Sequence, residues 1–153
     1  LGTWSPSATS PPAVTSITPS SGAGSSQTFT LTLSDANGNA DIASALVLIN
    51  STLNGNGACF ISYNRSVNAF YLLRDSDAVW QPIYPGTATS VTNDNCTLSG
   101  AALAATASGN TLTLMLPISF KPVFAGAKNT YVSVTDAGGL NSGVVTAGTW
   151  TVN

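Results

Sequence analysis

The sequence predicts an all-β protein, an antiparallel β-sandwich entered by an extended N-terminal arm. Three observations predict it. Residues 111–120 alternate, with Leu112, Leu114, Leu116, Ile118 and Phe120 on one side and Thr111, Thr113, Met115 and Ser119 on the other. A period of two sustained this long is a strand with one buried face. Residues 27–34 repeat the pattern, Phe29, Leu31 and Leu33 facing in and Thr28, Thr30 and Thr32 facing out. Finally, the chain of 153 residues carries 40 Ser and Thr and 13 Asn, with 43% apolar residues. Thr favours strands, Asn and Ser favour turns, and the apolar share is enough for one core.

Charged residues make up only 7%, against about 25% in ordinary soluble domains. Hydroxyls and amides therefore carry solubility, which suits an extracellular β-protein. No apolar run approaches a membrane span. Four cations and a net charge of −2 leave no nucleic-acid footprint. The chain has no His and no Glu. Within it, Ser-His-Asp and Cys-His catalysis, His-ligated zinc and Glu-based acid–base pairs cannot be built. The six Asp form no recognisable catalytic motif, so the expectation is a protein that is not an enzyme. Cys59 and Cys96 are two buried thiols or one disulfide. The low charge and the single even pair favour the disulfide, and with it an oxidising compartment. The chain starts at Leu1 without Met or leader, as expected of a processed or excised segment.

Residues 1–12, LGTWSPSATSPP, read as an extended Ser/Pro-rich arm, and residues 13–153 as the sandwich. The arm holds two large apolar residues, Leu1 and Trp4, and Leu1-Gly2-Thr3-Trp4 echoes Ala147-Gly148-Thr149-Trp150. The echo suggests either the tail of a preceding repeat in a tandem array or an arm that imitates the last strand and docks on a neighbouring copy. Residues 13–20 form the first strand, with Pro19 at an edge or an end. After 27–34 comes Asp35-Ala36-Asn37-Gly38-Asn39-Ala40-Asp41. The plain reading is a turn, with Asn37-Gly38 supplying the positive φ. Asp35, Asn37, Asn39 and Asp41 also offer a calcium loop, although Gly is misplaced and Leu46 stands where the helix–loop–helix motif needs Glu.

Residues 42–49 suit a central strand, and 58–63 with 69–74 a hairpin. Residues 75–94 lack periodicity but contain Trp80 and Tyr84. Such a stretch either packs its aromatics on the sandwich or presents them, alone or with Tyr63 or Tyr71, as a sugar-stacking platform. Residues 96–108 read as a weak strand. A strand at 130–135 opens on Tyr131, which is how an immunoglobulin-like sandwich closes its core. Residues 144–152 form the last strand, with Trp150 and Val152 on one face. Three glycosylation sequons begin at Asn50, Asn64 and Asn95.

Four segments carry a family resemblance: PPAVTSITPSSGAGSSQTFTLTLSDANG, the Cys59–Cys96 segment, FKPVFAGAKNTYVSVTDAGGLNSG and the closing GTWTV. Over about residues 11–153 the chain resembles bacterial immunoglobulin-like modules, close to fibronectin-III-like ones, of large secreted or cell-surface proteins. The resemblance implies a structural role in an extracellular filament or tandem array, with copies of itself as partners and no cofactor. The competing expectation is an adhesion module that binds carbohydrate through Trp80 and Tyr84.

Overall fold

The computed structural model describes residues 10–153. It is an all-β sandwich of two antiparallel sheets packed face to face. The strands in chain order are β1 (Ala13–Thr18), β2 (Ser26–Ser34), β3 (Ile42–Asn50), β4 (Cys59–Asn64), β5 (Ala69–Arg74), β6 (Val79–Ile83), β7 (Ser90–Thr92), β8 (Cys96–Ser99), β9 (Ala104–Ser108), β10 (Thr111–Phe120), β11 (Gly126–Asp136) and β12 (Val145–Val152). The first sheet runs β1-β2-β10-β8-β7, with β9 also paired to β10, and the second runs β12-β11-β3-β4-β5-β6. Strands β1, β2, β10 and β8 of the first sheet lie opposite β12, β11, β3 and β4 of the second.

The alternations predicted for residues 27–34 and 111–120 hold. Phe29, Leu31, Leu33, Leu112, Leu114, Leu116, Ile118 and Phe120 are all buried in the core between the sheets. In register they pair Leu112 with Leu33, Leu114 with Leu31 and Leu116 with Phe29. From the second sheet, Val47, Ile49, Ile61, Leu72, Val132 and Val134 close the same core.

Tyr131 differs from its expectation. It lies half-buried, with its hydroxyl accepting from Asn129 Nδ2 at 3.1 Å, while Thr130, Val132 and Val134 are the buried positions of β11. The strand starts at Gly126 rather than Thr130, and its inward phase falls on the even-numbered residues from Thr130 onward. Residues 75–94 hold two short strands that sequence pattern did not reveal, because Pro82 and the Asp75–Asp77 turn interrupt the alternation.

Cys59 and Cys96 form a disulfide, with Cα atoms 5.7 Å apart. It ties β4 in one sheet to β8 in the other, rather than the central strands linked in antibody domains. Asn93 reinforces the tie. Its amide donates to the Ala58 and Leu73 carbonyls, and its Oδ1 accepts from the Asn95 and Cys96 N–H groups.

The chain enters and leaves at opposite ends. Ala13 pairs with Ser34 at one end, beside Asp35, and Val152 pairs with Gly126 at the other. Between β1 and β2 the chain crosses to the second sheet. Ser20 and Gly22 carbonyls accept from Thr149 and Thr151 N–H, and Gly24 N–H donates to the Thr151 carbonyl. Residues 20–24 thus run parallel to β12 and cover the end of its edge.

Candidate functional site

The outer face of the second sheet, turned away from the core, carries the exposed aromatics. Two cross-strand rows define it. Tyr131 pairs with Leu48, Leu48 with Phe60, and Leu73 with Trp80. Beside that row, Ser133 pairs with Leu46, Leu46 with Ser62, Ser62 with Tyr71, and Tyr71 with Pro82. Register alone puts these side chains together, since residues opposite one another share a face.

Trp80 is 37% exposed and meets Phe60 edge to face, with ring centroids 5.1 Å apart. That geometry fixes the indole against β4 and leaves part of it to solvent. Next to it lies a shallow groove of about 280 Å³, lined by Ser44, Ser62, Tyr63, Asn64, Tyr71 and Trp80. Its walls combine two aromatic rings with uncharged hydroxyl and amide groups. Asn64 Oδ1 accepts from the Ser66 backbone and hydroxyl, and its amide nitrogen has no partner among the described residues. Neutral polar groups beside ring faces suit a neutral ligand with hydroxyls and C–H faces.

The other expected platform residues divide. Tyr84 follows β6 and is 51% exposed, but does not line the groove. Tyr63 faces the core, packed on Phe70 at 4.5 Å, with its hydroxyl donating to Asn68. Burial pushes that hydroxyl's pKa up. Although Tyr63 borders the groove, its ring is buried in the core, whereas Tyr71 on the next strand is well placed.

At the end where the chain enters, the 35–41 loop separates into two sets. Asn39 is committed elsewhere: its amide donates to the Gly109 carbonyl, and its Oδ1 accepts from Arg65, whose guanidinium also reaches the Asn39 carbonyl. Asn37 Oδ1 accepts the Ser10 N–H. Asp35 and Asp41 instead converge with Asp136, from the end of β11. Desolvation, and then the neighbouring Asp35 and Asp136 carboxylates, hold Asp41 above the usual carboxylate range. Asp136 escaped sequence reasoning because it belongs to a distant turn, and only the β11–β3 register brings it near.

Two of the three sequons are spoken for. Asn50 Nδ2 donates to Asn54 and Asn56 carbonyls, and Asn95 Nδ2 to Ala58 and Asp75, while Asn64 is exposed. Leu1 and Trp4 lie outside the described residues. No helix among the described residues is long and apolar enough to cross a membrane. No protein-family model and no curated protein matches the chain.

Proposed function

We propose that this domain is a non-enzymatic structural module of an extracellular, series-linked array of bacterial immunoglobulin-like type. The observation that carries the proposal is the placement of its ends: the chain enters beside Asp35 and leaves beside Gly126, at opposite poles of the sandwich. Such a unit adds length each time it is repeated, and neighbours need touch only end to end. The disulfide supports an oxidising compartment. Copies of the same chain, or adjacent repeats, are the natural partners.

Docking of the residue 1–12 arm by strand addition would need an open sheet edge. Residues 20–24 cover the end of β12, and Pro82 removes a donor from β6. The edges of β1, β7 and β9 remain to receive it. To test the array, two copies joined in series can be measured by small-angle X-ray scattering. The expected maximum dimension is about twice that of one copy. A pair folded back side by side would overturn the proposal.

A second reading rests on a different observation, the groove between Tyr71 and Trp80. In this reading the module also binds neutral carbohydrate, with Trp80 and Tyr71 stacking on sugar rings and Ser44, Ser62 and Asn64 meeting hydroxyls. A glycan array should show selective binding that Trp80→Ala and Tyr71→Ala each reduce at least about tenfold. Thermal stability should fall little, because Trp80 is partly exposed. Binding that survives both substitutions would place the ligand elsewhere.

A further inference from the structure

Asp35 follows the last residue of β2, Asp41 closes a 3-10 turn at Asn39–Asp41, and Asp136 is the last residue of β11. One carboxylate oxygen from each lies within 4.8 Å of the other two. Asp35 is 1% exposed and Asp136 3%. Part of their hydrogen-bonding capacity is used locally. Asp35 Oδ1 accepts the Asn37 N–H and Asp136 Oδ1 the Leu140 N–H, each at 2.8 Å. Asp35 Oδ2 is buried with no hydrogen-bond partner among the described residues.

Among the described residues, no ion pair compensates this cluster. The one ion pair among the described residues joins Arg74 to Asp77. Arg65, the basic group beside the loop, is engaged by Asn39. Lys128 sits over the Phe124 ring, and its neighbour across the sheet is Trp150, towards the exit end. An anionic oxygen withdrawn from water without a donor is costly, and two further carboxylates beside it raise the cost. A bound cation removes both penalties at once. The donors are all hard oxygens, which select against zinc and copper in favour of a hard divalent ion.

We infer that Asp35, Asp41 and Asp136 form a calcium site that clamps the β2–β3 turn to the end of β11. Calcium accepts six to eight oxygens in loose geometry, and water completes the shell. Magnesium demands a tighter octahedron than a set drawn from three separate segments readily provides. Half-exposed Asp41 leaves the ion a path from solvent. The site also touches the chain's entry: Asn37, between the first two ligands, accepts the Ser10 N–H at 3.1 Å. Calcium would thereby stiffen the pole where the chain enters. The inference holds whether or not the domain works in an array.

Titration calorimetry of the chelator-treated full chain with calcium chloride, with magnesium chloride in parallel, tests it. One calcium per chain should bind, with calcium at least about tenfold tighter than magnesium. Saturating calcium should raise the melting temperature by several degrees over chelator. Asp41→Asn and Asp136→Asn should each abolish the calcium-dependent rise, while Asp94→Asn, at an exposed carboxylate away from the cluster, should keep it. No heat and no melting shift in the wild-type chain would overturn the site. So would a full shift retained in both cluster variants. If a variant fails to fold, the wild-type titration decides.

Discussion

Replacing Trp150 with alanine is expected to lower unfolding stability by about 3–5 kcal/mol, the range for deleting a large buried aromatic. Trp150 is 4% exposed and meets Phe29 edge to face at 5.3 Å. It also supports the chain that crosses between the sheets. Its indole N–H donates to the Gly24 carbonyl at 3.1 Å. The ring lies so near the backbone of residue 22 that a Cβ added to Gly22 would stand 2.6 Å from it. The substitution therefore opens a cavity and removes the floor under residues 20–24. Urea unfolding of the variant measures the loss directly. A loss below about 1 kcal/mol, the median for any substitution, would mean that the core does not close around this side chain. Gly148→Ala probes the same contact from the backbone. Its new methyl would lie 2.6 Å from the Ser20 carbonyl oxygen, so it should destabilise in the same direction although it adds an apolar group.

Opening the disulfide is expected to have a comparable effect. Cys59 and Cys96 are 37 residues apart. Cross-linking a loop of that length restricts the unfolded chain by about 4 kcal/mol at 25 °C on the chain-entropy model. The double substitution Cys59→Ala with Cys96→Ala should lose most of that, and a reducing agent should do the same to the native chain. The measurement is the difference in denaturant midpoint between oxidised and reduced protein, with the slope compared to detect a change in the unfolded state. Equal midpoints would show that the Asn93 hydrogen bonds and the surrounding core hold β4 to β8 without the covalent link. The domain keeps few charges to compensate for such losses, so each should appear nearly undiluted.

How much of this was legible depends on how local the signal is. β2 and β10 were plain because each buries one face along its whole length, and the alternation of Leu with Thr writes that face into the sequence. β6 and β7 were hidden because Pro82 and the acidic turn at Asp75–Asp77 break the period, while pairing to β5 and β8 supplies the order. Around Tyr131 the phase of β11 differs from expectation: an aromatic near a strand's start suggests the core, but Thr130, Val132 and Val134 take the inward positions and leave that ring half-buried on the other face. The groove was half visible. Trp80 stood out as a residue, whereas its neighbours Ser62 and Ser44 look ordinary until three strands are placed in register. The acidic cluster was half visible for the same reason. Asp35 and Asp41 share a loop, and Asp136 joins them only through the fold.

The parallel segment at residues 20–24 has a mechanical consequence. If the module is stretched by its two ends, β1 is drawn towards one pole and β12 towards the other. The three backbone hydrogen bonds joining residues 20–24 to Thr149 and Thr151 then lie across the direction of pull. They are loaded in shear and must yield together, whereas strands peeled from one end release their bonds singly. Trp150, seated beneath that patch, keeps water from the loaded bonds. Under such a pull, resistance to extension would sit at the point where residues 20–24 meet the last strand.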